Sequence, residues 1–144
     1  MDPFTSKVVY PVLASAPYDL ILRFNICYSV LLFFSEYLIF LFKGLHLPYD
    51  GVVLANEVVY LLFLSAAEAI RLRFAVAGNF LERPSSTLVA IALLLINVVG
   101  CVWIAIWQTY ILYLEVIFVV GQLAFYLAEF ICGFVAFGTF LRAQ

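Results

Sequence analysis

The chain has 144 residues, of which 67% are hydrophobic and only 11% charged, and its formal net charge is −2. Soluble domains are about half apolar and a quarter charged, so with a mean hydropathy of +1.17 too little polar surface remains to cover a water-exposed globule, and the chain is an integral membrane protein. No Lys/Arg-rich run or basic helix face is present, which excludes nucleic acid as a partner.

Residues 1–19 contain Pro3, Pro11 and Pro17 and no long apolar run. They read as an irregular cytosolic tail and not as a secretory signal, so the first span is expected to direct its own insertion. Asp19 is the expected N-cap of that span, which covers about residues 20–42, close to the ~20 residues that cross the hydrocarbon. Gly44 fits a left-handed position just past the helix end, and Pro48, Tyr49, Asp50 and Gly51 make a compact turn. The second span covers about residues 52–76, with Gly78 as its stop. The polar stretch 77–86 is a loop, and Ser85 or Ser86 is expected to cap the third span, at about residues 87–107. The chain then stays apolar almost to its end, too long a run for one span. A turn near Gln108, Thr109 and Tyr110 divides it, and the fourth span covers about residues 111–137. The expected fold is an all-α integral membrane four-helix bundle, with residues 20–144 forming one membrane domain.

Basic residues set the orientation. Lys7, Arg23, Arg71, Arg73, Arg83 and Arg142 fall on one side of the four spans and Lys43 on the other, which puts both termini and the middle loop in the cytosol. Trp103, Trp107, Tyr110 and Tyr113 cluster at the opposite boundary as an aromatic belt.

Ionisable groups inside apolar spans are expensive and require partners or a task. By the ~1.5 Å rise per residue, Glu36 and Glu57 lie at one depth on neighbouring helices, with Asn56 beside Glu57. Glu115, Gln122 and Glu129 recur every seven residues and share a face. Gln122 falls near the Glu36–Glu57 level and Glu129 near Glu68. Two polar layers are therefore expected: an outer one of Glu36, Glu57, Gln122 and Asn56 with no basic partner, and an inner one of Glu68, Glu129, Arg71 and Arg23. Glu68 and Arg71 have the spacing of an intrahelical ion pair, and Asn25, Ser29 and Glu36 line one face of the first span. Such groups either register helices by hydrogen bonding, mark an ion or proton path, or contact a ligand or lipid. Four short spans without a broken helix or inverted repeat lack the usual transporter design.

Ala124, Ala128, Cys132 and Ala136 recur at intervals of four and form a candidate docking groove for another helix. Cys27, Cys101 and Cys132 all fall in apolar segments and read as packing thiols. A lone His46 and no Cys-x-x-Cys pair leave no ligands for a structural zinc site. No serine has a base and an orienting group at useful spacing. No enzymatic activity, cofactor, metal or small-molecule substrate is expected.

The string from Glu36 to Tyr49 (EYLIFLFKGLHLPY), followed by Glu68-Ala-Ile-Arg-Leu72 and Gly78-Asn-Phe-Leu81, resembles the small four-span family of transmembrane proteins 17, 80 and 216. Gln108 to Ile117 is most similar to the 216 branch. The motif residues are Lys43, Gly44, Leu47, Pro48, Tyr49, Gly78 and Asn79; Asp50 stands where the family commonly has a further proline. The resemblance implies a non-enzymatic scaffold subunit of the tectonic-like complex at the ciliary transition zone, which supports cilium assembly and restricts entry of membrane proteins. It also implies membrane lipid and other membrane subunits of that complex as partners. The alternatives from the residues themselves are a small proton or ion channel using the intramembrane carboxylates, or an accessory subunit of another membrane complex.

The charge asymmetry sets a topology test. In sealed vesicles with their cytosolic face outward, tags at Met1 and Gln144 are both expected to be cleaved by external protease; protection of either one overturns the four-span arrangement.

Overall fold

The computed structural model describes residues 12–143; residues 1–11 of the expected tail lie outside the described residues. The described chain is helical, with α1 at Ala16–His46, α2 at Gly51–Phe80, α3 at Pro84–Ile106 and α4 at Tyr113–Arg142. All four helices are long and apolar enough to cross a membrane. Even α3, with 23 residues, extends ~35 Å, against ~30 Å of hydrocarbon.

Local chemistry places the ends, in several cases away from the expected positions. Ser15 is the N-cap of α1 and Pro17 lies in the first turn, where a missing N–H is harmless; Asp19 sits inside that turn instead of capping it. Gly44 is not a helix stop, since α1 continues to His46. Its bare backbone faces α2, where a Cβ would meet Leu54 Cδ2 at 3.0 Å. The helix ends at Leu47, which is extended (φ −107°, ψ 150°), as the residue before a proline prefers to be. Asp50 caps α2 by accepting from Val52 N at 3.2 Å.

α2 also runs through its expected stop. Gly78 is helical and buried, and a Cβ there would lie 2.7 Å from Thr87 Oγ1 and 2.8 Å from Thr87 N. Its role is close approach to α3. The turn is made by Glu82, the one non-glycine residue with positive φ (53°) among the described residues. Arg83 N donates to Gly78 O at 3.0 Å, the long-range bond of a Schellman ending. Pro84 then occupies the first turn of α3 behind Arg83, so neither Ser85 nor Ser86 is the cap. In α4 the Glu115 side chain reaches back to accept from Leu112 N at 2.6 Å, satisfying an orphan donor of the first turn.

The helices pack in a ring, α1 on α2, α2 on α3, α3 on α4 and α4 on α1, an antiparallel bundle joined by short connections. The end holding the α1–α2 and α3–α4 connections is called here the hairpin end, and the other the terminal end. Leu32, Leu61, Leu64, Leu94, Ile104, Val119 and Tyr126 belong to one apolar cluster. Tyr18, Leu22, Ala75, Ala90, Ala136 and Phe140 form a second at the terminal end. Large apolar side chains such as Phe24, Phe34, Phe63, Val99, Leu127 and Phe134 point outward. This inside-out share of apolar surface suits lipid and not water.

One contact sets the α1–α4 spacing. Tyr28 donates its hydroxyl to Phe118 O at 2.8 Å, and its ring occupies the space over Gly121, where a Cβ would lie 2.1 Å from the hydroxyl oxygen. Gly121→Ala is therefore expected to destabilise the bundle by ~1–3 kcal/mol through overpacking. In a Tyr28→Ala background the same change should be neutral or stabilising, because alanine outranks glycine in a helix by ~1 kcal/mol. Denaturant unfolding of the four variants in detergent micelles gives the comparison.

Candidate functional site

The centre of the bundle holds a charge network with almost no exposure. Arg71 on α2 is 1% exposed, Glu68 2% and Glu129 1%. Arg71 donates from Nε to Glu68 Oε2 at 2.8 Å and from Nη2 to Glu68 Oε1 at 2.7 Å. These two parallel bonds use the fixed fork of the guanidinium. Its Nη1 donates across the bundle to Glu129 Oε2 on α4, and its plane lies 5.1 Å from the Tyr126 ring centre.

Neutral groups fill the remaining acceptor sites. Ser29 donates to Glu68 Oε1 at 3.1 Å, Tyr126 to Glu68 Oε2 at 3.0 Å, and Asn25 Nδ2 to Glu129 Oε1 at 2.6 Å. Gln122 Nε2 in turn donates to Asn25 Oδ1 at 2.8 Å and to Ser29 at 3.1 Å. Three helices thus meet through one cation and two carboxyls, with every carboxylate oxygen accepting at least one bond.

A second buried cation sits nearer the hairpin end. Lys43 and Glu115 are both 0% exposed and form an ion pair. Lys43 Nζ also donates to Gln108 Oε1 at 2.9 Å and lies 4.8 Å from the Phe40 ring centre. Glu36, two turns before Lys43 on α1, is likewise fully buried and within electrostatic reach of both Glu115 and Lys43. Its carboxyl oxygens take no bond from an N–H or hydroxyl of the described residues; the group they face is the Glu115 carboxyl.

Two clasps close the ends. At the hairpin end Glu57 Oε1 accepts from Thr109 N at 2.9 Å and Thr109 Oγ1 at 2.7 Å, and Oε2 accepts from the Tyr49 hydroxyl. Burial, followed by the bond to Glu57, holds the Tyr49 phenol above its ordinary range, so it remains a donor. Tyr110 packs edge-on against Tyr49, with centroids 5.0 Å apart, and its hydroxyl donates to Pro48 O at 3.3 Å. At the terminal end Asn79 Oδ1 accepts from Ser15 N at 2.9 Å and Nδ2 donates to Ser15 O at 3.1 Å. Glu82 Oε1 accepts from Leu13 N at 2.7 Å and Ala14 N at 3.1 Å. The segment before α1 is thereby tied to the α2–α3 loop.

These positions regroup the expected layers. Glu68, Arg71 and Glu129 come together. Arg23 does not join them; it is exposed and pairs with Asp19 at 2.7 Å. The expected outer layer divides in three: Gln122 turns to Asn25 and Ser29, Glu57 caps the α3–α4 connection, and Glu36 lies beside the Lys43–Glu115 pair. Asn56 is exposed and belongs to no layer. Equal depth did not mean equal azimuth. The layer without a base also disappears, because Lys43, expected in the outer loop, is inside the longer α1. The signal was present in its spacing: Lys43 follows Glu36 by seven residues, the same interval that links Glu115 to Gln122. Tyr126 was missed as well, although it sits three residues before Glu129 on the same face.

The small-residue row also changes character along its length. Ala124 is exposed, Ala128 and Cys132 are half-buried, and Ala136 is buried. An interval of four overshoots a 3.6-residue turn by ~40° at each step, so the row winds from the lipid face into the terminal-end cluster, against which Cys132 packs.

Residues 20–126 match the family model Transmemb_17, described as "Predicted membrane protein". The chain is similar to transmembrane protein 216 of Danio rerio, at 35% identity over 134 residues covering 93% of this chain and 84% of that protein. Against transmembrane protein 216 of Rattus norvegicus the identity is 37% over 105 residues, covering 73% of this chain and 74% of the relative. For the Homo sapiens protein it is 35% over 105 residues, covering 73% and 72%. No solved structure matches the chain.

Removing Arg71 would leave two carboxyls in the core without a cation, and breaking a buried pair in this way costs about 3–5 kcal/mol. Arg71→Met is expected to lower the unfolding free energy in micelles by about that amount. Adding Glu68→Gln and Glu129→Gln to it should recover much of the loss. A triple variant no more stable than Arg71→Met would show that the guanidinium acts through packing and not through charge.

Proposed function

This chain belongs to the Transmemb_17 family of membrane proteins, and from that membership we propose that it is a non-enzymatic scaffold subunit of a membrane assembly, the tectonic-like complex of the ciliary transition zone. There it supports cilium assembly and restricts entry of membrane proteins, with both termini in the cytosol. The observation that carries the scaffold reading is the Arg71–Glu68–Glu129 network. Arg71 bonds both carboxylates, and Asn25, Ser29 and Tyr126 supply them further bonds, which suits a bundle held in one arrangement. The ciliary assignment rests on the family resemblance of the Lys43–Tyr49 and Glu68–Asn79 motifs. The partners are other membrane subunits of that complex, and the outward part of the small-residue row, Ala124 with Ala128, is the docking face proposed for one of them.

Glu36 favours a second reading, a small proton or ion channel, because its buried carboxyl takes no bond from an N–H or hydroxyl of the described residues and lies beside the Glu115 carboxyl. The two readings separate experimentally. From a ciliated cell in mild detergent, the scaffold is expected to co-purify with transition-zone membrane subunits, with at least a fivefold lower yield for Ala124→Leu at unchanged thermal stability. Recovery of a membrane complex free of transition-zone subunits overturns the ciliary reading. A proton or cation flux in liposomes that Glu36→Gln abolishes establishes the channel instead.

A further inference from the structure

Between α1 and α2 the lipid-facing surface is not filled. A groove of about 920 Å³ runs along the middle of α1 and the terminal-end half of α2, with Val30 and Phe34 on one wall and Ala69 and Val76 on the other. Small side chains on α2 help to create it: Ser65, Ala69 and Ala77 line it, with Arg73 between the two alanines. At its upper limit the Tyr37 hydroxyl and Ser65 Oγ are 3.0 Å apart, a crossbar that joins the two helices. Halfway along α2's share of it Arg73 lines the groove. Arg73 is exposed and, among the described residues, takes part in no ion pair.

Length and charge identify the occupant. On α2 the groove extends from Ser65, at the middle of the helix, to Leu81 just past its end. That is ~24 Å at the ~1.5 Å rise, about half of the ~40–45 Å bilayer with its headgroups. That depth matches an acyl chain, which spans one leaflet, better than a transmembrane helix from another subunit, which spans both. Arg73 lies eight residues, or ~12 Å, below the crossbar, and a long basic side chain at this depth snorkels to the phosphate level. We propose that this groove is a site for one anionic glycerophospholipid of the terminal-end leaflet, with an acyl chain between α1 and α2 and its headgroup against Arg73. The inference requires neither the scaffold reading nor the cytosolic orientation.

The test uses the full chain in vesicles whose two leaflets have the same composition, so orientation does not enter. The probes are phosphatidylserine and phosphatidylcholine carrying a photoactivatable diazirine on one acyl chain, with crosslinked peptides mapped by mass spectrometry. Crosslinks are expected to concentrate on residues 26–37 and 65–81, with phosphatidylserine favoured about fivefold. That ratio corresponds to the ~1 kcal/mol that one basic residue gains at an anionic surface. Arg73→Gln should bring the ratio to about one while crosslinking persists. Ala69→Trp, at an exposed position, should reduce groove crosslinks by about tenfold at unchanged thermal stability. Crosslinks spread evenly over all four helices, or a headgroup preference indifferent to Arg73→Gln, overturn the proposal. So does loss of subunit co-purification in Ala69→Trp with no groove crosslinks in the parent, which assigns the groove to a protein helix.

Discussion

The structure depends on one guanidinium in the middle of a membrane bundle. In a low-dielectric interior a charge without partners is far costlier than any single packing contact, so the helices can settle only where Arg71 meets both Glu68 and Glu129. The bond to Glu129 is the important one, because it crosses the bundle from α2 to α4 and cannot be made within one helix. A slip of either helix by one turn, ~5.4 Å, would break it and strand a carboxyl. Asn25, Ser29, Gln122 and Tyr126 supply the remaining hydrogen bonds and bring α1 into the same register. α3 contributes no side chain to this network and is placed by other means, such as the backbone approach of Gly78 to Thr87.

The same charge pattern occurs twice. Arg71 stands between Glu68 and Glu129; Lys43 pairs with Glu115 and lies near Glu36. The two sites differ in the cation and hence in closure. A planar guanidinium with five donors can serve two carboxylates and hold their orientation. An ammonium is a compact point charge; Lys43 gives its contacts to Glu115 and Gln108, and Glu36 receives none of them. The central site is thus the fixed part of the bundle and the hairpin-end site its less satisfied counterpart. The Glu57–Tyr49–Thr109 clasp stands outside that second site and ties the two hairpin connections together.

Much of this was legible in the sequence, and the misses share a physical cause. Span number follows from hydropathy, and the Glu68–Arg71 pair from a three-residue interval on a helix. Depth, too, can be counted in residues. Azimuth around the bundle axis cannot, and for that reason depth alone groups Glu36, Glu57 and Gln122 in one layer although they face three different neighbours. Helix ends depart from the expected positions where a glycine is not a breaker. Gly44 and Gly78 are helical because a neighbouring helix comes close, a tertiary demand with no local trace, while the left-handed turn falls to Glu82. A glutamate there is intelligible only in three dimensions, since its carboxylate also anchors Leu13 and Ala14, 69 and 68 positions away in the chain.

A bundle built this way is costly to open at its centre. Separating α2 from α4 breaks the Arg71–Glu129 bond, at about 3–5 kcal/mol for an uncompensated buried charge. A ligand would have to bind the separated state ~10⁴-fold better to invert an equilibrium of 99:1. The α1–α2 interface is under a weaker constraint. α1 reaches the central network through the neutral Asn25 and Ser29, and its link to α2 on the lipid side is the Tyr37–Ser65 contact. Losing neutral bonds of this kind in a membrane costs ~1 kcal/mol each. The bundle is therefore least committed along the α1–α2 groove, while the charges at its centre tie α2 to α4.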